Sequence, residues 1–527
     1  VGLAARVGLA LRPLAILDGL TLPDDAYLSL TIARNVGRGL GPLYGDAFTN
    51  GFQPLYVFLM APVYALFPEN VEGNVHVALV LLAVCDALMA TALCALARRI
   101  TGREVAPLVV AAAWCLNAYV VRITLGGLET SLAALFAVLA LLALHRARSG
   151  PGLGPVFATG LLAGIAIVAR IDNAFLAAAA AASVAFPAGA GVRARALAGA
   201  RRVALLSAGV AIPVLPWLAY SFAYTGDFYP ISGRAIRLTA TAVSPLSRDV
   251  VQWHLLMLDI AGRTLRDNFG ALLAIVAFFA VAATRFAADR GGRAGFLELA
   301  RALSGAAPAW LYAVPLVLAY PLHVYAVWFF ARYFFPAVIP LLLSLGLLVD
   351  FLVREVPSER TRTVAALGFA AALLVFTGTR RELRTLATTR DTKAQGYMNL
   401  GLWAARTLPR GTAIGSAQTG ALSYFAPSLR VVNLDGVVNR ACFEALLKKK
   451  NLDYVLETGI EYVVGWTVNM RFMKVCSDRP LEPVLEPLGV IEGFRSWGSD
   501  WHLYRVRRDL AGTPPPQKEM GGLKPPK

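Results

Sequence analysis

Long apolar runs separated by short polar stretches, many of them rich in arginine, dominate the chain. Val75–Ala97 and Phe269–Ala283 carry one charge or none. A helix needs about 20 apolar residues to cross the hydrocarbon of a bilayer. On that measure the pattern predicts about eleven spans. They lie at 1–17, 74–97, 105–121, 128–145, 153–169, 171–187, 203–223, 269–286, 308–328, 333–353 and 363–379. The first run is short, is broken by Arg6, Arg12 and Pro13, and reads as a helix that lacks part of its length. No small-residue cleavage site follows it, so it does not read as a signal peptide. Phe52–Phe67 is also apolar, but it is short and holds Pro54 and Pro62. It predicts a helix lying in the interface or re-entering from it.

After Arg380 the pattern changes. Strand-like runs (Thr412–Gly415, Arg430–Leu434, Tyr462–Gly465, Leu503–Val506) alternate with helix-like ones (Gln395–Thr407, Ala441–Lys450). This predicts a small soluble α/β domain over 380–510. The tail 511–527 ends in TPPPQKEMGGLKPPK and has the composition of a disordered segment. The expected organisation is a transmembrane domain at 1–379 with a first outer loop at 22–73, then the α/β domain, then the tail. No internal repeat and no inverted repeat of the transporter kind is visible.

Composition sharpens the class. The chain of 527 residues is 57% apolar, above the roughly 45–50% of soluble domains. Mean hydropathy is +0.59, and a soluble core accounts poorly for so many long apolar runs. The net charge of +17 would point to nucleic acid in a soluble protein. Here the arginines sit mostly in short loops, and no nucleic-acid motif accompanies them. One set of alternate loops holds Arg98/Arg99/Arg103, Arg146/Arg148, Arg193/Arg195/Arg201/Arg202, Arg285/Arg290/Arg293/Arg301 and Arg354/Arg360/Arg362. These are expected to be cytoplasmic by the inward bias of positive charge. The opposite set is Asp24–Gly51, Arg122–Glu129, Arg170–Asn173, Thr225–Asn268 and Phe329–Arg332, expected outside. An odd span count with the N-terminus inside places 380–527 outside. Of five cysteines, Cys85, Cys94 and Cys115 lie in apolar runs. Cys442 and Cys476 lie in the C-terminal region, where a disulfide or two free thiols are both open readings. No Cys/His spacing indicates zinc, and no metal ligand set is predicted.

The candidate chemistry lies in the outer loops. Asp24 and Asp25 come at the end of the first span. Their repulsion and partial burial favour a raised pKa in at least one, which suits a general base. The competing reading is an N-cap for a helix over Ala26–Gly37. Thr49-Asn50-Gly51-Phe52-Gln53-Pro54 offers amides, a hydroxyl and an aromatic ring for sugar hydroxyls, with Asn50 and Gln53 the candidate contacts. It equally suits a turn and a helix start. Arg122, Arg170 and Arg332 supply cations at matching depth. Several arginines on the outer side run against the inward bias and suit a phosphate, although any one can snorkel to headgroups. Arg234 and Arg237 can add to that set, and Glu129 can join the site or serve a helix N-terminus. Asp172 and Asn173 adjoin Arg170. Asp86, inside a span, requires a partner or a cavity. His254, in an amphipathic outer-surface stretch at Trp253–Leu265, and His323 read as structural. An acidic pair can bind a divalent cation, but only Asp46 adds a third carboxylate to the first loop.

These segments, in order, resemble the glycosyltransferase C (GT-C) superfamily, whose members use polyprenyl-phosphate sugars. Pro23-Asp24-Asp25-Ala26-Tyr27, Thr31-Ile32-Ala33-Arg34-Asn35 and Thr49-Asn50-Gly51-Phe52-Gln53-Pro54-Leu55 resemble the first loop of bacterial members, among them mycobacterial arabinofuranosyltransferases. Gly126-Gly127-Leu128-Glu129-Thr130, Ala169-Arg170-Ile171-Asp172 and Arg332-Tyr333-Phe334 with Pro336 resemble later segments. In the second of these, Ile171 replaces the family's proline. Gly415-Ser416-Ala417-Gln418-Thr419-Gly420 and Asn433-Leu434-Asp435-Gly436 resemble strand-turn pieces of an external domain.

The resemblance implies a GT-C fold in a bacterial plasma membrane and a first-loop aspartate as base, with Asp24, nearer the helix end, favoured over Asp25. It further implies a polyprenyl-phosphate monosaccharide as donor. The expected reaction is inverting transfer of a hexose or pentose to a cell-envelope glycan, lipid or protein on the outer face. Arg170, Arg332 and Arg122 would hold the donor phosphate. No cofactor is required by the residues, and a divalent cation remains open. The rival class is a transporter or flippase of lipid-linked sugars, which would place polar groups and broken helices at the bilayer midplane.

Overall fold

The computed structural model describes residues 2–186, 192–289, 292–353, 379–390, 396–496 and 499–512. Among them, six helices are long and apolar enough to cross a membrane: Val71–Thr101, Thr130–Ser149, Arg193–Thr225, Val250–Asp289, Ala307–Val324 and Val327–Val353. A seventh crossing results if Val105–Cys115 and Ala118–Thr124, bent by 62°, act together. The bend falls where the Asn117 side chain accepts the N–H groups of Tyr119 (3.0 Å) and Val120 (3.3 Å) and so starts a new helix.

The expected count of about eleven also includes shorter pieces. The described part of the first run falls in two helices, Gly2–Ala10 and Leu14–Leu20, separated at Pro13, which cannot continue a helix. Gly154–Ala169 has 16 residues and Ala174–Val184 has 11. The run 363–379 lies outside the described residues save its last. Pro54–Leu66 forms the expected short helix, with Pro54 in its first turn. Trp253–Leu265 differs from expectation. It is continuous with the following span in one helix of 40 residues, Val250–Asp289. Gly262 and Gly270 do not break it, since an isolated glycine costs only about 1 kcal/mol. Asn268 adds a bond back to the Thr264 carbonyl (2.9 Å).

The helices divide by burial. The apolar window of Val327–Val353 is 89% buried inside the protein, whereas those of Arg193–Thr225 and Val250–Asp289 are 17% buried. These two expose large apolar side chains, including Leu215, Phe222, Phe278 and Val281. An apolar exterior on long helices suits lipid as the surrounding solvent, and we read the chain as a multi-pass membrane protein. Gly154–Ala169 packs closely on Val192–Thr225. A Cβ on Gly160 would lie 2.1 Å from the Leu206 carbonyl oxygen, and one on Gly164 would lie 2.7 Å from that of Val210. Small residues four apart bring the two backbones together. Asp86 has the partner its position demands. It pairs with buried Arg6 and accepts the Trp114 indole N–H (3.1 Å).

The first loop folds as the helix Asp24–Gly37, then a hairpin of β1 (Leu43–Tyr44) and β2 (Ala47–Phe48). The C-terminal segment contains a five-stranded sheet of β3 (Ala413–Ser416), β4 (Arg430–Asn433), β5 (Tyr462–Trp466), β6 (Leu485–Ser496) and β7 (Ser499–Val506). Its order is β4-β3-β5-β7-β6. β3 pairs in parallel with both β4 and β5, and β7 pairs antiparallel with β5 and β6. β6 escapes a period-two reading, because Pro487, Gly489 and Gly493 interrupt it and its register on β7 shifts twice. Cys442 and Cys476 are buried free thiols, so the disulfide reading is not the one realised.

Candidate active site

Two side chains of one helix help dock the sheet segment on the first loop, beside hydrogen bonds from Tyr44 to the Thr419 carbonyl (2.9 Å) and between the Tyr64 and Tyr424 hydroxyls (2.8 Å). Asp24 opens the helix Asp24–Gly37, and its Oδ2 and Oδ1 accept the backbone N–H groups of Gly420 (2.8 Å) and Ala421 (2.9 Å). These are the first residues of the helix Gly420–Phe425, so the carboxylate satisfies donors that a helix start leaves unpaired. Arg34 serves the other end, donating to the carbonyls of Tyr424 (2.9 Å) and Ser423 (3.0 Å). Gly420 is required for the approach, since a Cβ there would stand 2.0 Å from the Asp24 carbonyl oxygen. Burial pushes the Asp24 carboxyl up to about 6, against the pull of those N–H groups.

Between the helical part and the sheet segment lies a cavity of about 1280 Å³. Its lining includes Asp24, Asp25, Gln53, Arg122, Glu129, Arg170 and Arg332. Its lining draws on all five segments expected outside, and on none of the described residues of the arginine-rich alternate loops. The Asp25 side chain is 37% exposed and lies 3.3 Å from Arg332 Nη2. The Arg332 guanidinium is 4.5 Å from the Phe329 ring centre and 5.3 Å from that of Tyr333, and its Nε has no partner among the described residues. The aromatic faces hold the fork while leaving donors for a ligand.

Arg170 is bound differently. It is buried, with Nε 2.9 Å from Asp172 Oδ2 and Nη1 3.5 Å from Glu129 Oε1. Nη2 donates to the Tyr320 hydroxyl (3.3 Å), which itself donates to Asp172. Most of its fork is thus taken by protein groups, and Glu129 and Asp172 are its counter-charges. Arg122 donates to Asn268 Oδ1 (2.8 Å).

Not every expected contact reaches this cavity. Asn50 does not line it. Its amide is spent on Ser221 Oγ (2.8 Å), on the Tyr229 carbonyl (3.2 Å) and on the Ile231 N–H (3.1 Å), so it pins the 227–231 segment. Arg234 pairs with Asp227 beside a small separate pocket. Arg237 is 3.3 Å from His323 Nδ1, and of the two only His323 lines the main cavity. Asp46 pairs at the surface with Arg430 at 3.7 Å. His254 bonds the Val250 carbonyl (2.7 Å) and Tyr325 (3.2 Å), a structural arrangement. Among the described residues no three His, Cys, Asp or Glu side chains form a group able to hold a metal ion.

One acid was named in the sequence only within a resembling strand-turn segment and was given no role in the site. Asp435, just after β4, lines the cavity, and its Oδ1 accepts the Val437 N–H (3.0 Å). Burial pushes it up to about 7, and the charges of Asp25 and Asp24 add to the rise. The signal was an acidic residue followed by glycine at a strand end, a pattern that ordinary turns share.

No curated protein sequence matches the chain. Residues 382–512 match a family described as a domain of unknown function (DUF8728). ArnT from Cupriavidus metallidurans bound to undecaprenyl phosphate has a similar structure, with a TM-score of 0.57 at 13% identity over 97% of this chain and 98% of that one. The apo state of the same protein gives 0.54 at 14% identity, over 95% and 97%. The oligosaccharyltransferase of Archaeoglobus fulgidus in its apo form gives 0.52 at 13% identity, over 92% of this chain and 72% of that one. At these identities the likeness is one of fold.

Proposed function

We propose that the protein is a membrane glycosyltransferase that moves one sugar from a polyprenyl-phosphate carrier to an acceptor hydroxyl. The observation that carries this reading is the pairing of a half-exposed acid, Asp25, with the aromatic-flanked Arg332 in the wall of a 1280 Å³ cavity. A fold shared with a protein whose structure holds undecaprenyl phosphate supports the choice of donor. The bacterial plasma membrane, an outward-facing site and a subtype like the mycobacterial arabinofuranosyltransferases, acting on a hexose or a pentose, are the finer forms of the proposal. The last two rest on the loop charges and on the first-loop resemblance.

Asp25 takes the acceptor proton as the acceptor oxygen attacks the anomeric carbon. The bond from that carbon to the phosphate oxygen breaks, and polyprenyl phosphate leaves. Direct displacement with one base inverts the anomeric centre, because no covalent sugar intermediate precedes it. Arg332 and Arg122 stabilise the phosphate charge as it develops. Arg170, already neutralised by Glu129 and Asp172, orients that wall. Asp24 holds the sheet segment over the cavity, and this division of labour gives the base role to Asp25.

The test is transfer from a radiolabelled polyprenyl-phosphate sugar by the full chain in detergent. Formation of a new glycosidic bond is expected. Asp25→Asn should slow it by about 10²–10⁴-fold, the usual worth of a general base, with donor affinity kept. Carrier movement across a vesicle membrane without bond formation would instead mark a flippase and remove the proposal.

A further inference from the structure

The sheet segment presents the carboxyl ends of its three parallel strands to the cavity. Gln418 follows β3, Asp435 follows β4, and Trp466 ends β5; all three line the cavity. β4 and β5 lie on opposite sides of β3. The chain therefore goes from β3 to one neighbour and then crosses to the other. In open α/β sheets, ligands bind outside the carboxyl ends of strands at such a reversal. Here the reversal falls between β3 and β5, where Gln418 and Trp466 stand.

Both residues carry unspent polar atoms. Gln418 Oε1 and Trp466 Nε1 are buried and have no hydrogen-bond partner among the described residues. A buried polar atom left unpaired is costly, so such atoms call for a partner, which a small side-chain turn toward the cavity would let a ligand or an ordered water supply.

The character of the ligand follows from what already fills the neighbouring anion position. The loop after β3 leads into the helix Gly420–Phe425, whose first N–H groups would suit a phosphate. The Asp24 carboxylate takes them. Asp435 adds a second acid to the same wall. This wall disfavours an anion and suits a neutral ligand with many hydroxyls. An amide oxygen and a carboxylate accept hydroxyl protons, and an indole offers both an N–H and a flat face for a sugar ring.

We propose that Gln418, Asp435 and Trp466 form a binding subsite for the acceptor, and that the acceptor segment bound there is a neutral carbohydrate. This deepens the transferase reading and rests on it for the word acceptor only. The donor phosphate belongs to the arginines, and the acceptor ring to the strand ends.

The test uses the full chain in detergent with two probes, a methyl pentofuranoside and a methyl hexopyranoside, followed by saturation-transfer NMR and titration. At least one should bind to the wild type. Gln418→Leu and Trp466→Phe should each weaken it tenfold or more, while affinity for undecaprenyl phosphate stays unchanged and each variant keeps a cooperative thermal transition. Trp466→Phe keeps a ring and loses the N–H, which separates hydrogen bonding from packing. Glycoside affinity equal to wild type in both variants overturns the subsite, as does tighter binding of ADP than of either glycoside. Glycoside binding by a protein that forms no new bond from the labelled donor would sink the transferase reading and leave the carbohydrate subsite standing.

Discussion

Asp24 and Asp25 are neighbours in the chain, yet their oxygens meet unlike surroundings: two backbone N–H groups for the first, an arginine and the cavity for the second. Asp24's folded pKa of about 6 lies above the 3.8 of an ordinary aspartate. A raised carboxyl pKa means that the folded state prefers the protonated form. Its contribution to stability is therefore full below pH 3.8 and is lost as pH rises through about 6. The thermal midpoint of the wild type should fall across that window. In Asp24→Asn the fall should shrink, leaving the part due to Asp18 and Asp435, which burial raises to about 7. An unchanged slope would show that Asp24 is not the group responsible. The arginines divide in the same way. Arg170→Ala strands Glu129 and Asp172 in a buried site and should cost about 3–5 kcal/mol of stability. Arg332→Ala and Arg122→Ala should chiefly weaken undecaprenyl-phosphate binding, which titration of the purified variants would separate from unfolding.

At the level of elements, close approach depends on glycines. Gly160 meets the backbone of Val192–Thr225 with no room for a Cβ. Gly160→Leu should force the two helices apart and lower stability by about 1–3 kcal/mol, the usual cost of overpacking. A detergent-melt midpoint matching wild type would contradict the packing account. These elements were unevenly legible. The long spans announced themselves, because a run of apolar residues has one economical solution in lipid. The break at Asn117 was not read, since a capping asparagine inside an apolar run looks like any tolerated polar residue. The union of Trp253–Leu265 with the next span was missed for the opposite reason: glycines and an Asp-Asn pair look like a boundary, yet neither forbids a helix.

Across the whole molecule, the helix Asp24–Gly37 joins the helical part to the sheet segment, with an acid at one end and Arg34 at the other. Arg34→Ala should raise amide hydrogen exchange across Gly420–Phe425 while leaving Thr130–Ser149 protected. Equal exchange in both forms would mean that the clamp is redundant. Helical periodicity, arginine spacing and the order of short polar segments determined by themselves that this is a chain of apolar helices with a mixed C-terminal segment, and that Asp24, Asp25, Arg122, Arg170 and Arg332 merit attention. Only the tertiary structure decided how those residues divide. It turned Asn50 into a clamp, neutralised Arg170 with Glu129 and Asp172, set Asp25 against Arg332 and brought Asp435 to the same cavity from 410 residues along the chain. The physical reason is that apolar burial and backbone hydrogen bonding are written in local periodicity. The role of a polar side chain is fixed by the partner that long-range packing delivers to it.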